Sequence, residues 1–450
     1  EVHAPGVAPR GIGGDSARSD HVVDAADDAR TIGRRLRRIR KARDKLLTVV
    51  AGLAGMSIAT LSRIENGLRA LDSISEILAL ADALRVAPSE LVKLPEPAPG
   101  NEGTDAAINE VRLALLAASR GHLGGHAQLV DVLRARAASV VGAYCGCDRH
   151  GAVGAALPAL IRDLHTSIAA GRDVAELLEL AVLLHSHATV GWLRVVGSSL
   201  DLRSQAAELA RRAAQERDTP EMLGLATWGG MYVLVMAGAA DLALAELNAV
   251  TVPARTPESM QVAGVLELCR LFLAVADSRP GDAGPPLEMA AELADRTGEV
   301  NAYGLGFGPQ EVGQWRARDA VEARDYERAV RIAEGLRPAT HPHRSRQADY
   351  WITYGRALAR IRGRHEQAVI ALRRAELILP HYVQRDPITR DVIDELRFRS
   401  YKDDAVRSLA DHDTHRGWLG GDGAVQALCG ASRNVCFRWI IRHSWGGLGH

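Results

Sequence analysis

The chain has 450 residues, 47% of them apolar and 4% aromatic, with a formal net charge of zero. That length allows two or three domains, and scarce aromatics beside abundant Ala, Leu and Arg favour helices over strands. Five cysteines in so long a chain exclude a disulfide framework, no basic start followed by an apolar stretch marks a signal peptide, and apolar runs such as 231–237 fall short of the ~20 residues of a membrane span.

Residues 1–30 are rich in Gly, Asp, Ala and Ser without periodicity and are expected to form a disordered arm. Charge then becomes uneven. Between Thr31 and Arg69, Arg34, Arg35, Arg37, Arg38, Arg40, Lys41, Arg43, Lys45, Arg63 and Arg69 face only Asp44 and Glu65. A compact basic module on an acidic remainder is the electrostatic footprint of a nucleic-acid partner.

The same module, 31–94, reads as five short helices. Thr31 caps a first helix over 31–43, with Ile32, Leu36 and Ile39 as its apolar stripe. A second helix, over 47–54, turns Val50, Ala51 and Ala54 inward. Gly55-Met56-Ser57 is the turn, Gly55 permitting a positive φ and Met56 entering the core. Ser57 caps a third helix over 58–66, buried through Leu61 and Ile64 and closed at Asn66-Gly67. A fourth helix over 73–84 buries Ile74, Ile77, Leu78, Leu80, Ala81 and Leu84, and Pro88 and Ser89 open a fifth.

Pro95, Pro97 and Pro99 cannot sit inside a helix and mark 95–104 as a stiff linker. From Asp105 the helical spacing returns through Ile108, Val111, Leu115 and Leu116. The helical domain is expected to span 105–409, and from about residue 175 the chain becomes repetitive. Trp351, Gly355 and Leu358 share one helix, Gly363 marks a turn, Ala368, Leu372 and Ala375 share the next, and Pro380 ends it. Positions 206, 243, 286, 329 and 368 anchor successive units. Beyond about 409 the amphipathic period disappears, and 410–450 is expected to be an atypical, poorly ordered tail.

The motif Leu53-Ala54-Gly55-Met56-Ser57, Leu61-Ser62-Arg63-Ile64-Glu65-Asn66-Gly67 and Val86-Ala87-Pro88-Ser89-Glu90-Leu91 resembles the Cro/phage-repressor (XRE) class of helix-turn-helix regulators. The resemblance covers about 64 of the 450 residues. It implies a lambda-repressor-like DNA-binding domain on double-stranded operator DNA, the third helix entering the major groove. Carried over, the base-reading positions are Ser57, Ile58, Ala59 and Arg63, with Arg63 suited to guanine. Thr48, Thr60, Ser62, Asn66, Arg69, Arg35 and Arg38 fall at or near the DNA backbone, and Arg40 and Glu65 stand where the class has an ion pair between the first and third helices. Two departures stand out. Leu47-Thr48-Val49 replaces a polar start to the second helix, and Ile58 and Ala59 are apolar where readers are usually polar. Those side chains suit thymine methyl groups or, alternatively, a surface with little sequence discrimination.

The 351–380 unit resembles a tetratricopeptide repeat (TPR), making the expected fold all-α: a small five-helix domain, a Pro-rich linker and a TPR-like α-solenoid. With 51 arginines against four lysines (Lys41, Lys45, Lys93 and Lys402), the chain reads as the product of a high-GC bacterial genome. The expectation is a cytoplasmic transcriptional regulator, a homodimer without cofactor or metal, whose repeat groove senses a peptide, small molecule or protein partner. The alternative is a TPR-like adaptor with weak or nonspecific DNA binding.

No catalytic constellation is evident. Cys145-x-Cys147 with Asp148 and His150 lacks common zinc spacing, and Cys429, Cys436 and His443 are weaker still. His185 and His187, two residues apart on a helix, are expected to diverge, and His341 and His343 to be solvated in a loop. Gly304-Leu-Gly306-Phe-Gly308-Pro309 reads as a loop between helix pairs.

Overall fold

The computed structural model describes residues 31–93, 102–122, 124–146, 150–277, 279–298 and 301–399. The proposed arm, most of the linker, Cys147, Asp148 and the 410–450 tail lie outside these. Among the described residues every regular element is helical.

Five helices form the N-terminal domain: α1 (Ile32–Ala42), α2 (Leu47–Leu53), α3 (Ile58–Glu65), α4 (Ile74–Leu84) and α5 (Pro88–Leu91). Ile32, Leu36, Val50, Ala51, Leu61, Ile64, Ile77, Leu80, Leu84 and Leu91 build their core. Each cap follows from local chemistry. Thr31 Oγ1 accepts the Arg34 N–H at 3.2 Å, and Ser57 Oγ accepts the Thr60 N–H at 3.0 Å. Gly55 takes φ +65° in the interhelical turn, a conformation that costs other residues about 1 kcal/mol or more. The spacing gave no hint of the role of Gly33. A Cβ there would lie 1.8 Å from the Ile64 carbonyl oxygen, so only glycine lets α1 cross α3 at this distance.

The remaining helices are α6 (Glu102–Ser119), α7 (Val130–Gly146), α8 (His150–Ala169), α9 (Val174–Leu183), α10 (Val190–Val195), α11 (Leu200–Arg217), α12 (Pro220–Met236), α13 (Ala240–Ala249), α14 (Pro257–Ala276), α15 (Gly284–Thr297), α16 (Pro309–Glu322), α17 (Tyr326–Glu334), α18 (Arg344–Arg360), α19 (His365–Ile378), α20 (Pro380–Arg385) and α21 (Pro387–Arg399). Helix α6 starts at Glu102, inside the stretch assigned to the linker. From α12 onward each helix packs on the next, and α12, α14, α16 and α18 also pack on one another. This gives an inner layer of alternate helices backed by α13, α15, α17 and α19, a solenoid-like arrangement. Ala206, Ala243, Ala329 and Ala368 are fully or almost fully buried between layers. The anchor expected at 286 is displaced: Pro286 opens α15, and Leu287 and Ala290 are the buried side chains.

Two helical segments, Val174–Val195 and Pro257–Ala276, are long and apolar enough by length and composition to cross a membrane, although neither is an unbroken apolar run. Most of each is buried inside the helical body. Between α9 and α10 the chain makes a π-helical turn, Leu184–Thr189, whose side chains are all buried.

The N-terminal domain is seated against this body. Helix α4 packs on α14, α5 on α12, and α1 on α21. Met236 joins the core of the small domain, with Leu200, Tyr232, Phe272, Val275 and Ile388 at its edge.

Candidate DNA interface and its anchorage

Helix α3 is held by a bidentate pair. Arg40 Nε and Nη2 donate to the two Glu65 carboxylate oxygens at 2.6 and 2.8 Å, and Arg40 Nη1 donates to the Lys45 carbonyl at 2.9 Å. The bond from Glu65 raises the Arg40 pKa further above its ordinary value. Glu65 is 4% exposed, so this link between α1 and α3 is screened from solvent.

The opposite face of α3 is open. Ser57, Ile58, Ala59 and Arg63 are exposed together, with Thr60 and Ser62 partly exposed beside them. Thr48 and Arg38 are exposed on the flanking helices. Arg37 donates to Asn66 Oδ1 at 3.3 Å and borders the same surface. The surface also carries apolar groups: Ile58 is 49% exposed and Leu53 62%, with Leu46 and Val49 nearby in sequence on the α2 side.

Three residues expected near the DNA backbone are engaged within the domain. Arg69 Nη2 donates to both Glu76 carboxylate oxygens, at 2.8 and 2.9 Å. Arg35 Nε donates to the Glu90 carbonyl at 2.5 Å, and its Nη2 lies 3.3 Å from the Glu90 carboxylate. Desolvation, followed by the neighbouring Arg38 charge, lowers the Arg35 pKa. Asn66 Nδ2 donates to the Ser62 carbonyl at 2.8 Å, satisfying the end of α3. The carboxylates that hold Arg69 and Arg35 stand on later helices, Glu76 on α4 and Glu90 on α5.

The body-facing side is built from carboxylates set far away in sequence. Asp391 accepts the Ile32 and Leu71 N–H groups at 3.2 and 2.7 Å, and Glu395 accepts the Ala70 N–H at 2.9 Å. Glu322 Oε2 accepts the Ser73 hydroxyl at 2.8 Å and the Ile74 N–H at 3.0 Å. Ile32 and Ile74 open α1 and α4. Body carboxylates thus satisfy the free first N–H of each helix, at the positive end of its dipole. Asp72 sits at the centre. It takes Arg356 Nε at 3.3 Å and Arg360 Nη2 at 2.9 Å; Arg356 also reaches Glu322 at 3.0 Å, and Arg360 bonds Glu395. Glu76 bonds Arg324 across the same seam. Burial opposes ionisation of Asp72, but the two guanidinium groups outweigh it and hold its carboxyl below the usual range.

Several body histidines depart from expectation. His341 and His343 are buried, each 4% exposed, rather than solvated. His341 Nε2 donates to the Gly306 carbonyl at 3.1 Å and faces Glu311 at 3.3 Å, while its Nδ1 accepts the His343 N–H at 3.1 Å. The His187 ring stacks on that of His343 with centroids 5.2 Å apart, and its Nε2 bonds the Gly304 carbonyl. His185 turns instead to His165, Nε2 to Nε2 at 3.0 Å. The glycine-rich segment runs from a 3-10 turn, Ala302–Gly304, through a loop over 305–308 into α16, and the Gly304 and Gly306 carbonyls serve these histidines. Cys145 is buried on α7, and no group of metal-ligating residues is found among the described residues.

The geometry defines a helix-turn-helix: a capped, glycine-turned helix pair with its second helix presented to solvent. Residues 31–94 match the family model of a helix-turn-helix domain. No curated protein and no solved structure matches the chain. This domain makes DNA the partner that the fold supports, and a DNA-binding regulator the coarse class of the protein.

Proposed function

We propose that the chain is a sequence-specific transcriptional regulator of the XRE class, from a high-GC bacterium, acting in the cytoplasm as a homodimer. The observation that carries this reading is the outward α3 face: Ser57, Ile58, Ala59 and Arg63 are exposed together while the opposite face is buried. The free Arg63 guanidinium suits the O6 and N7 of guanine, and Ile58 and Ala59 suit thymine methyl groups. One short recognition helix gives limited affinity, and two half-sites on one duplex supply the rest. The TPR-like body has a sensing role and no catalytic one, with a ligand taken on its inner layer.

Selection of bound duplexes from a random library by the full chain tests this reading. A consensus made of two related half-sites is the expected result. Recovery of unrelated sequences, with affinity equal for all and falling steeply with salt, overturns it. That outcome fits a second reading, an adaptor with nonspecific DNA contact, which the exposed Leu46, Val49, Leu53 and Ile58 favour.

A further inference from the structure

Between the inner layer and the seated DNA-binding domain lies a cavity of about 290 Å³. Arg194 on α10 and Arg203 on α11 both line it. The other guanidinium groups there are paired: Arg346 with Glu311 and Asp349, Arg318 with Asp349, Arg356 with Asp72 and Glu322. Neither Arg194 nor Arg203 has a carboxylate of the described residues within 4.0 Å. Arg194 instead lies over the Tyr382 ring, 4.9 Å from its centroid. Arg203 Nε is buried without a hydrogen-bond partner. Burial, and then repulsion from Arg194, pushes the Arg203 pKa down despite the favourable Tyr232.

Two further lining residues each carry an unsatisfied buried atom. His343 Nε2 and Ser186 Oγ are buried, have no hydrogen-bond partner and belong to cavity-lining side chains. A buried polar group without a partner costs about 1–3 kcal/mol, so orphans gathered on residues that line one space mark a place where a ligand supplies the partners. Trp228, Tyr232, Phe272 and Trp315 also line the space. Phe272 sets its ring edge-on to Trp315, with centroids 6.3 Å apart.

We infer that this cavity binds a small carboxylic acid with a flat apolar body: its carboxylate lies between Arg194 and Arg203, and its body among the aromatic walls. The inference rests on the sensor reading above and narrows it. The volume suits a small molecule and is too small for a helical peptide. Asp72 and Ile74 of the DNA-binding domain line the same space, so an occupant touches both parts of the regulator. Binding that differs between two seatings of that domain shifts their balance, whatever the direction.

The test is isothermal titration of the full chain with 1-naphthoate, benzoate and the neutral 1-naphthamide. The expected result is saturable one-to-one binding of at least one acid. The amide binds at least tenfold more weakly than 1-naphthoate. Arg203→Gln and Arg194→Gln each weaken acid binding at least tenfold, while Arg203→Lys loses less. Equal binding of 1-naphthoate and 1-naphthamide overturns the inference, as does no saturable binding of either acid. The acid–amide comparison uses the unaltered chain, so it stands if a variant fails to fold. Duplex selection on the same preparation keeps the two readings apart: acid binding without a consensus site sinks only the regulator, and a consensus site without acid binding sinks only the cavity.

Discussion

The two sides of the helix-turn-helix domain are built on opposite principles. On the outer side, Arg63 and Arg38 stand exposed among apolar Ile58 and Leu53. On the inner side, Asp391, Glu395 and Glu322 satisfy backbone N–H groups, and Asp72 is shared by two body arginines. The outer side is left open for a partner, while at the inner seam these backbone donors and Asp72 find their partners within the chain. A surface that binds DNA needs free cations. One that seats a domain needs every buried donor matched, because each orphan costs about as much as a hydrogen bond gains.

The sharpest way to break the comparison is at the crossing that serves both sides. Gly33→Val puts side-chain carbon into the Ile64 carbonyl. The expected loss is above ~3 kcal/mol for the small domain, with DNA binding abolished and most body helicity retained; circular dichroism and a duplex-binding assay measure both. Asp72→Ala comes next. It leaves Arg356 and Arg360 short of a buried counter-charge, a change of about 3–5 kcal/mol. Hydrogen exchange is expected to speed up at the Ile32, Ala70, Leu71 and Ile74 amides while the Leu61 and Ile64 amides keep their protection. Equal acceleration at both sets would mean that the seam and the domain core are not separate units.

Acid separates the two regions more mildly. His165 is held down to about 4, and His185, His187 and His343 below their ordinary range, in each case chiefly by burial. Their folded pKa values lie below the unfolded one, so the unfolded chain binds more protons between about pH 4 and 6.5, and stability falls as pH drops through that window. His165 alone accounts for roughly 2 kcal/mol by pH 5. Asp391 acts in the opposite sense. Burial raises it to about 7 against the opposing Leu71 and Ile32 N–H bonds, so its own contribution improves as pH falls from 7 toward 4. The four histidines act together against Asp391 and the other acids that burial raises, among them Asp386, and the melting temperature is expected to fall between pH 7 and 5. A flat or rising profile would show that these histidines are not held neutral.

Arg63→Ala is the smallest change to the fold and the most selective. The expected cost is about 1–3 kcal/mol of binding to the preferred duplex, with folding stability altered by less than about 0.5 kcal/mol.

The small domain was legible because its signals are local. Thr31, Ser57, Gly55 and Gly67 each act within a few residues, and the buried stripes follow helical spacing. The seam was not legible. Ile32 and Asp391 are 359 residues apart, and nothing in the sequence near Asp391 marks its partner. The same distance hid the use of His341 and His343, which read as solvated because they sit between helices, although the backbone of the 304–309 loop encloses them. Among the expected DNA contacts, the ion pairs of Arg69 and Arg35 were hidden for a related reason: helical spacing shows a basic residue but not the carboxylate on a later helix that engages it. The anchor expected at 286 failed because regular spacing was extended across α15, where Pro286 opens the helix and the buried positions shift.

The most direct measurement is fluorescence anisotropy of the full chain and of Arg63→Ala on a selected duplex and a scrambled one, across a salt series. Tighter binding to the selected duplex is expected, with a tenfold or greater loss of that preference in the variant and similar salt slopes differing by about one released counterion. Equal affinity of the unaltered chain for both duplexes at every salt concentration would contradict it.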